Sequence, residues 1–556
     1  MRLLSVVALS LHFRGLLSQA LDANGVSLDE KVLAIERLLM TPGTIDFPVT
    51  PCDFNLNSAP INIAGDQTAA QWVRTVFHDF ITADVKAGTG GLDASIGFEA
   101  DRDENLGITF KGNSFINETI IGFNLFSEVY ISTADFIALG LAASLNACDS
   151  GTPIVRLRAG RIDATREGPL GVPKPEDSLT SATDAFAKAG FSNTEMIQAV
   201  ACGHSIGSVH KIDFPQIVGN DPTLDVSPPG TGADTFDSTP FKFDNTQVQE
   251  YLTGTGKRGG PLVTTQNVTM QSDLRIFKSD NNATVKAMSS AASFRNTCLT
   301  IFAKMLDTVP AGTALSNPVS PRPWITKETH LDLSPSGVVQ YSGNISTQSK
   351  AAGTAPGTAS YVYLTSSGST AKSGQSQAGR LQNTNVNGVI SEPYGKITDY
   401  SFNDTIPAGV TSIKIQNSYT ENINMNIFVV PSQSFIKQPT NPDGSGGIAS
   451  YLVRAALLTS LSTSSATLTG TFYFPSVQPN SVAPKWTRTT FTLTKEKTLG
   501  SYTIFKGQVT EPGVHATGTG LHHVDVQFSS MRSAKVLASS FTPRSFFGKC
   551  ADLTKC

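Results

Sequence analysis

The hydrophobic periodicity of the chain changes near residue 310. Before that point apolar residues recur every three or four positions, as in SLDEKVLAIERLLM, where Ser27 and Glu30 stand in capping-box positions ahead of an apolar helix face. The first half is therefore expected to be mainly α-helical. Further helices are predicted over 66–80, 115–129, 132–146, 194–210, 245–252 and 282–307.

The second half has a period of two. After the proline-rich segment VSPRPWITKE, stretches such as SYVYLTSS and TRTTFTLT alternate, carry β-branched and aromatic residues, and are separated by Gly, Pro, Ser and Asn. This pattern is typical of β-sandwiches, either one or two of them. We therefore expect a helical domain over 21–318, a linker over 319–330 and a β-rich accessory region over 331–556.

The amino terminus is similar to a secretory signal. A basic second residue, an apolar stretch and the small residues of Ser-Gln-Ala at 18–20 predict a signal peptide over 1–20, although Arg14 leaves a retained helix as the alternative. We expect a secreted glycoprotein. Five Asn-x-Ser/Thr sequons fit this expectation: Asn117, Asn267, Asn282, Asn344 and Asn403.

The charges and the cysteines restrict the possible partners. The 42 basic and 45 acidic residues nearly balance, so no strong field points to nucleic acid or to an anionic membrane. No later apolar run is long enough for a transmembrane segment. Six cysteines without a CxxC pair predict disulfides rather than zinc. The pairs we expect are Cys550 with Cys556, Cys52 with Cys298, and Cys148 with Cys202.

The stretch RTVFHDF places Arg74 four residues before His78. On a helix these two side chains share a face. A neutral histidine beside a fixed cation suits a reaction that takes a proton and develops negative charge nearby. Taken alone, however, the same spacing also occurs on an ordinary solvent-facing helix.

Six segments extend this pattern in order: FHDF, GGLDASI, ENLGI, MIQAVACGHSIGSVH, FDSTPFKFDN and MQSDLRIF. Together they resemble the signature segments of the plant, fungal and bacterial haem peroxidase superfamily, and the pattern is most similar to the secreted fungal class II branch. The resemblance covers about residues 45–310. It implies a helical fold that holds one haem b and two Ca²⁺ ions and reacts with hydrogen peroxide.

The resemblance implies roles for residues on one face of the haem. Arg74 and His78 would be the pair at the peroxide side, with Asn105 of ENLGI accepting a hydrogen bond from His78; the alternative for Asn105 is a turn residue. Phe77 would contact the haem where other branches carry tryptophan, and no tryptophan lies between His204 and Asp273. A tryptophan radical beside the haem is therefore not expected.

On the other face the resemblance implies that His204 ligates the iron and that Asp273 holds its second nitrogen. Such a carboxylate makes the imidazole a stronger donor. Outside the motif set, His204 reads as a core histidine and Asp273 as a cap or surface residue. A zinc site of His204 and His210 is a poor rival, because six helical residues rotate their side chains well apart.

The resemblance also implies two calcium sites built from hard oxygen ligands. The alternative is that these Asp, Ser and Thr residues are ordinary turn residues. The distal site would use Asp79, Asp93, Ser95 and the backbone near Gly91, and the proximal site Ser205, Asp237, Thr239, Asp244 and the carbonyl of Lys242.

Two specialised substrate routes of the branch have no counterpart here. The three acidic positions of its manganese-oxidising members fall on Gln67, Gln71 and His210, and the position of its surface tryptophan falls on Ala199. Neutral side chains are poor ligands for Mn²⁺. We therefore expect small aromatic donors to be oxidised at the haem edge.

The function that we expect is a secreted haem peroxidase that reduces hydrogen peroxide and oxidises small phenolic donors. The alternative is a non-catalytic cell-wall or adhesion protein that keeps the fold as a scaffold. The β-rich region matches none of the motifs. Binding of wall polysaccharide, presentation of the helical domain and control of access are all open roles for it.

Overall fold

The computed structural model describes residues 21–40, 52–54, 66–105, 115–124, 128–149, 155–211, 213–219, 232–320, 322–349, 355–379, 396–437, 448–511, 522–538 and 546–556. The predicted signal peptide, residues 1–20, lies outside the described residues. So does most of the stretch 41–65, which precedes the second helix.

The α-helices of the described chain all lie before residue 308. The first, α1 (Leu28–Leu39), begins with the capping box expected from the sequence, since Ser27 and Glu30 each accept the backbone N–H of the other. None of the described helices is both long and apolar enough to cross a bilayer. The others are α2 (Thr68–Phe80), α3 (Phe115–Asn124), α4 (Thr133–Cys148), α5 (Leu179–Lys188), α6 (Asn193–Gly203), α7 (Pro215–Val218), α8 (Thr246–Thr253), α9 (Pro261–Thr264), α10 (Ser272–Lys278), α11 (Ala283–Ala287) and α12 (Ala291–Asp307).

Helix α4 forms the centre of the helical half. All of its residues except Ala147 are buried, and it packs along α2. The contact is close because Gly140 faces the ring of Trp72, where a Cβ on Gly140 would lie 2.3 Å from a ring carbon. Since real Cβ atoms do not approach so closely, this position requires glycine. The α2–α4 contact therefore fixes the position of α2 in the core.

The predicted helix over 194–210 is wrong at its carboxyl end. Helix α6 stops at Gly203, and β1 (Ser208–His210) pairs with β2 (Ala233–Thr235) in an antiparallel ladder. Between α6 and β1 the chain turns at Gly207, whose φ of +91° is a conformation that favours glycine. The apolar pattern continues through this turn, so periodicity alone did not reveal it.

The predicted helix over 282–307 is divided into α11 and α12. Ser290 begins α12 by accepting the N–H of Ser293, which makes it a helix N-cap. The serine pair at 289–290 therefore breaks a pattern that otherwise looks continuous.

The described strands after residue 320 form three sheets. One contains β3 (Trp324–Leu333), β4 (Val339–Ser349) and β7 (Lys396–Thr405). The second contains β5 (Thr358–Thr365), β6 (Thr370–Gln377), β8 (Val410–Ile415) and β9 (Tyr419–Asn422). These two sheets share an apolar core, in which Tyr361 and Phe402 pack with ring centroids 5.6 Å apart. The third sheet has ten strands and a core of its own. This half is β-rich, as expected from its alternation.

The strands of this half are β3 (Trp324–Leu333), β4 (Val339–Ser349), β5 (Thr358–Thr365), β6 (Thr370–Gln377), β7 (Lys396–Thr405), β8 (Val410–Ile415), β9 (Tyr419–Asn422), β10 (Ile427–Val429), β11 (Phe435–Lys437), β12 (Ser450–Leu458), β13 (Thr467–Ser476), β14 (Lys485–Leu499), β15 (Tyr502–Thr510), β16 (His523–Phe528), β17 (Met531–Arg532), β18 (Val536–Leu537) and β19 (Gly548–Lys549).

The segment 319–330, expected to be a linker, is partly a strand. Strand β3 begins at Trp324, and Ile325 is fully buried in the core of the first two sheets. Prolines at 321 and 323 suggested an irregular segment, but three consecutive buried residues, Ile325, Thr326 and Lys327, follow them in the strand.

Two of the three expected disulfides are wrong. The structure joins Cys52 to Cys148 and Cys202 to Cys298, while the expected small carboxyl-terminal loop between Cys550 and Cys556 is present. Cys202 lies at the end of α6 and Cys298 in α12, and these two helices pack together. The pairing therefore follows helix packing, which the cysteine spacing did not show.

The helical and β-rich halves share buried polar contacts. Arg37 of α1 donates through Nε to the carbonyl of Thr326 at 2.9 Å, and its guanidinium lies 3.2 Å from the carboxylate of Glu421. In the reverse direction, Lys327 Nζ donates to the carbonyl of Met40 at 2.8 Å. Burial of such charges is unfavourable without these partners, so the contacts favour one arrangement of the two halves.

Candidate active site

Helix α2 places Arg74 and His78 on one face, as their spacing predicts. Arg74 Nε lies 3.4 Å from His78 Nε2, in a geometry that lets the guanidinium donate to the imidazole. The guanidinium also covers the ring of Phe115, with Cζ 4.0 Å from the ring centroid. The imidazole is only 7% exposed. A fixed cation thus lies directly beside a buried imidazole nitrogen.

Asn105 orients the imidazole of His78. Its Nδ2 donates to the carbonyl of Glu99 at 3.0 Å, which points its Oδ1 toward His78 Nδ1 at 2.6 Å. Because an amide oxygen only accepts, the proton of the neutral ring belongs on Nδ1. This leaves His78 Nε2, beside Arg74, as the unprotonated nitrogen.

The surroundings keep His78 neutral. Burial, and then the positive charge of Arg74, lower the pKa of His78 to about 3, although the Asn105 hydrogen bond works in the opposite direction. Burial also lowers the pKa of Arg74 to about 10, which the negative charges of Asp213 and Asp66 partly offset. Arg74 therefore remains a cation at neutral pH, and His78 remains a base.

His204 ends α6 and contacts a buried carboxylate. Its Nδ1 lies 2.7 Å from Asp273 Oδ2, and the other oxygen of Asp273 accepts the hydroxyl of Ser272 at 3.2 Å. Asp273 lies in the first turn of α10 and is 1% exposed. The hydrogen bond fixes the Nδ1–H tautomer, so His204 Nε2 is the nitrogen available for a ligand.

Phe236 is a site residue that the sequence reasoning missed. Its ring stacks on the imidazole of His204, with centroids 4.3 Å apart and planes 5° from parallel. The available signal was its position immediately before Asp237 in the FDSTPFKFDN motif. Stacking on one side and Asp273 on Nδ1 together fix the plane of the His204 ring.

The two histidine groups adjoin each other at the start of α2. Gly207, three residues after His204, contacts Ala70, since a Cβ built on Gly207 would lie 2.8 Å from Ala70 Cβ. Ala70, Arg74 and His78 follow one another at four-residue intervals and so share one face of α2. The ring of Phe77 lies 5.9 Å from that of His78 and 5.7 Å from that of Phe80.

The expected distal calcium ligands are brought together around Asp79. Its carboxylate accepts the N–H groups of Asp93, Ala94 and Ile96 at 3.0, 2.8 and 3.0 Å, and the hydroxyl of Ser95 at 3.3 Å. These residues are also buried. The carboxylates of Asp79 and Asp93 and the hydroxyl of Ser95 thus converge in the interior.

Gly91 stands at the start of this loop with a φ of +108°. A Cβ on Gly91 would lie 2.6 Å from the carbonyl oxygen of Thr308, so the position requires glycine on two grounds. Burial, and then the charge of Asp93, raise the pKa of Asp79 well above its usual value. Two buried carboxylates that disfavour their own ionisation fit a divalent cation, which would relieve both penalties.

The expected proximal ligands also cluster. Asp237 accepts the N–H of Thr239 at 2.7 Å, and the hydroxyl of Thr239 lies 3.2 Å from Asp244 Oδ1. The other oxygen of Asp237 is buried and has no hydrogen-bond partner among the described residues. Burial and the nearby charges of Asp244 and Glu250 raise the pKa of Asp237 to about 7. A cation at the unpartnered oxygen would account for this arrangement.

The remaining two expected ligands of the proximal site are Ser205 and Lys242, and their oxygens take part in local hydrogen bonds. The hydroxyl of the buried Ser205 donates to the carbonyl of Cys202 at 2.8 Å, and the carbonyl of Lys242 accepts the N–H of Asp244 at 3.0 Å. In the described chain no cluster of three or more His, Cys, Asp or Glu side chains could hold a metal. Each proposed calcium site instead has two carboxylates, with hydroxyl and carbonyl oxygens supplying the rest.

The positions at which manganese-oxidising members of the branch carry acidic residues hold no carboxylate here. Gln67 donates to the carbonyl of Pro240 at 3.1 Å, and Gln71 donates to Asp66 at 3.2 Å. Asp66 also lies 3.4 Å from His210 Nδ1. Asp213 Oδ2 lies 4.0 Å from the same nitrogen. The structure therefore adds two carboxylates that the comparison of positions did not consider, and that of Asp66 already contacts two side chains.

Comparison with known proteins finds similarity in the same region of the chain. Residues 59–292 match the family model described as peroxidase. The resemblance to the haem peroxidase superfamily is confirmed for this region. It includes both histidine groups and both sets of expected calcium ligands.

Three curated relatives show how far the similarity extends. The chain is 37% identical over 305 residues to a WSC domain-containing protein of Arthroderma benhamiae, a match that covers 53% of this chain and 39% of the relative. It is 32% identical over 202 residues to manganese peroxidase H4 of Phanerodontia chrysosporium, covering 35% and 47%. It is 34% identical over 198 residues to versatile peroxidase VPS1 of Pleurotus eryngii, covering 34% and 48%. The chain thus spans less than half the length of each.

The buried carboxylates generate a prediction about calcium. A ligand that binds only the folded state stabilises it by mass action, by about 4 kcal/mol at a thousandfold excess over its Kd. We expect added Ca²⁺ to raise the melting temperature and exhaustive chelation to lower it. Asp79→Asn and Asp237→Asn should each weaken the response, whereas the exposed control Asp184→Asn should not. An identical melting curve with and without chelator, together with no metal by elemental analysis, would refute both sites.

Proposed function

We propose that the protein is a secreted haem peroxidase that reduces hydrogen peroxide and oxidises small phenolic donors. The observation that carries this proposal is the pair of oriented histidines. His78 has an unprotonated Nε2 beside Arg74, and His204 has its Nδ1 committed to Asp273. Each turnover would reduce one peroxide to two waters and take one electron and one proton from each of two donors.

The residues present fit a haem. A histidine whose Nδ1 is held by a buried carboxylate is a strong iron ligand through Nε2, and the side chain of His204 keeps 32% of its surface exposed. Bound haem would supply the iron and the porphyrin that accept oxidising equivalents from peroxide. His204 would hold the iron and Asp273 would strengthen that ligand. Phe236 would fix the orientation of the His204 imidazole by stacking on it.

The residues on α2 would handle the proton and the charge of peroxide. His78 Nε2 would accept a proton from one peroxide oxygen and return it to the other, which leaves as water. Arg74 would stabilise the negative charge that develops on that leaving oxygen. Asn105 would act as a positioning residue, because it keeps the proton of the ring on Nδ1 and so keeps Nε2 free.

The remaining parts of the proposal concern location and organisation. Three disulfides fit an oxidising compartment and so support secretion after removal of residues 1–20. Residues 21–318 would form the catalytic domain with one haem b and two Ca²⁺ ions. The segment 319–330, which includes the start of strand β3, would lead from it into the region 331–556, which would be accessory, with wall polysaccharide as one candidate ligand.

A non-catalytic wall or adhesion protein is the second candidate. It is favoured by one observation, that the relative with 37% identity is described by its WSC domain rather than by an activity. A scaffold, however, has no need of a buried Arg74 beside an oriented His78. The absorption spectrum and the turnover of peroxide separate the two candidates.

One prediction of the proposed function separates the roles of the two histidines. We expect the purified protein to show a Soret band, His204→Ala to lose axial ligation, and His78→Ala to retain haem. Peroxide cleavage by His78→Ala should be slower by about 10² to 10⁴, the usual effect of losing a positioned base. The control His330→Ala changes a histidine of β3 and should match wild type in stopped-flow rates. Wild-type protein that stays colourless after incubation with haem would contradict the proposal.

A second prediction follows from the lowered pKa of His78. The neutral base should persist well below pH 6.5 and be lost only as the pH falls toward about 3. An unperturbed histidine would lose about 30-fold of its neutral form at about pH 5, whereas His78 should lose almost none. The measurement is the rate constant for peroxide between about pH 8 and about pH 5. A titration near pH 6.5 in that profile would show that His78 is not held neutral.

The third prediction concerns reducing substrates. Because Gln67, Gln71 and His210 provide no carboxylate where manganese-oxidising members of the branch have one, we expect small phenols or ABTS to be turned over and Mn²⁺ and veratryl alcohol to be poor donors. A Gln67→Glu, Gln71→Glu, His210→Asp variant should gain Mn²⁺ oxidation. Saturable Mn²⁺ oxidation by wild type in the micromolar to millimolar range would mean that Asp66 already contributes to such a site.

A further inference from the structure

One loop of the β-rich half enters the core of the helical half. Residues 477–484 connect β13 to β14, and we refer to them as the β13–β14 loop. Ala483 is 5% exposed and belongs to the helical core, and Val482 packs against the same core. Val477, in the same loop, is 60% exposed. One end of the loop is thus buried in the other half of the protein while its beginning faces solvent.

The loop meets the helical half at Gly97. The N–H of Val482 donates to the carbonyl of Gly97 at 2.8 Å. A Cβ on Gly97 would lie 3.1 Å from both Ala483 Cβ and Ser481 Oγ, so the two backbones are in close contact. A side chain on Gly97 would require the loop to shift by a few tenths of an ångström.

Gly97 belongs to the one-turn 3₁₀ helix Ser95–Phe98. The turn directly follows the loop whose backbone N–H groups donate to Asp79. Within the turn, the N–H of Ile96 donates to the same carboxylate. On its other side the turn leads to Glu99, whose N–H donates to the carbonyl of Ile96 at 3.0 Å. The turn therefore lies between the proposed distal calcium ligands and the residues that orient His78.

A short series of hydrogen bonds connects Glu99 to His78. The carbonyl of Glu99 accepts both the N–H of Arg102 and the side-chain N–H of Asn105, each at 3.0 Å. The N–H of Asn105 in turn donates to the carbonyl of Arg102 at 2.8 Å, and its Oδ1 contacts His78. Movement of the 3₁₀ turn would therefore move the oxygen that orients the imidazole.

The base of the loop is itself held against the helical half. Trp486, in β14 just after the loop, packs with Val26 and Val129 of the helical half. Arg532 of the same sheet donates to the carbonyl of Gly25 at 2.8 Å. The sheet that carries the loop is thus held against the helical half at Trp486 and at Arg532, so the loop can transmit the position of the sheet to Gly97.

We propose that the β13–β14 loop is a positioning element for the His78–Asn105 pair. Val482 and Ala483 hold the 3₁₀ turn at Gly97, and the turn sets the place of Asn105. The functional part of this inference rests on the proposed peroxidase activity. Misplacement of a catalytic group by about 1 Å can slow a reaction by about 10². The β-rich half would therefore contribute to peroxide cleavage without touching the peroxide.

The test compares two identical substitutions within the loop of the full-length protein. Val482→Asp places a carboxylate against the helical core, whereas Val477→Asp places one in solvent. Hydrogen–deuterium exchange is measured for peptides covering 93–105 and, as an internal reference, for α12. We expect exchange of 93–105 in Val482→Asp to be at least about tenfold faster, with α12 unchanged and Val477→Asp equal to wild type.

The same variants are then compared in peroxide cleavage and haem content. We expect Val482→Asp to retain haem but to react with peroxide about tenfold to a hundredfold more slowly, and the conservative Val482→Ile to restore the rate. A merely structural contact would change the melting temperature without this separation of haem retention from peroxide rate. If Val482→Asp does not fold, Val482→Ala is compared with Val477→Ala in the same two measurements.

The outcomes are distinguishable. Equal exchange of 93–105 in the Val482 and Val477 variants would overturn the inference, as would faster exchange with an unchanged peroxide rate. Loss of activity in every protein, wild type included, would overturn the proposed function. The exchange measurement would still decide whether the loop holds the turn, because it requires no activity.

Discussion

The buried carboxylate of Asp79 connects the parts of the site. It follows His78 directly on α2, and it accepts the backbone N–H groups of Asp93, Ala94 and Ile96. A buried carboxylate is unfavourable unless hydrogen bonds or a cation compensate it. Those three N–H groups fix the loop against the helix that bears His78. The loop and the imidazole are thereby fixed to one another.

The two histidines are oriented through the same nitrogen but by partners of different charge. His78 Nδ1 meets the neutral amide of Asn105, and His204 Nδ1 meets the carboxylate of Asp273. A neutral partner leaves the imidazole of His78 a weaker base than a carboxylate would. A carboxylate increases electron density on the imidazole of His204. Under the proposed function, this difference in partner would suit His78 to carry a proton and His204 to ligate iron.

Local sequence signals predicted local structure well. The capping box of Ser27 and Glu30 marked the start of α1, and the spacing of Arg74 and His78 placed them on one face. Signals failed where the decisive contact is distant in sequence. Helix α6 ends at Gly203 and the chain turns at Gly207, where it lies close to Ala70, a contact that no local pattern reveals.

The candidate site shows the same difference between local signals, which predicted well, and contacts distant in sequence, which were missed. Its residues were predicted from ordered motifs, and the structure brings the members of each group together, while their catalytic roles stay predictions. The stacking of Phe236 on His204 was missed because an apolar residue before Asp237 looks like ordinary core. The disulfides of Cys202 and Cys52 were mispaired because spacing carries no information on which helices pack together.

The boundary between the two halves is clear in the sequence but not in the packing. Met40, at the end of α1, is fully buried in the core of the first two sheets, and Ala483, from the third sheet, is buried in the helical core. Each half thus completes the core of the other. Separation would expose these apolar side chains and leave the charges of Arg37 and Glu421 without their partner. A change of periodicity near residue 310 therefore marks a change of architecture, and not a point at which the protein divides into independent units.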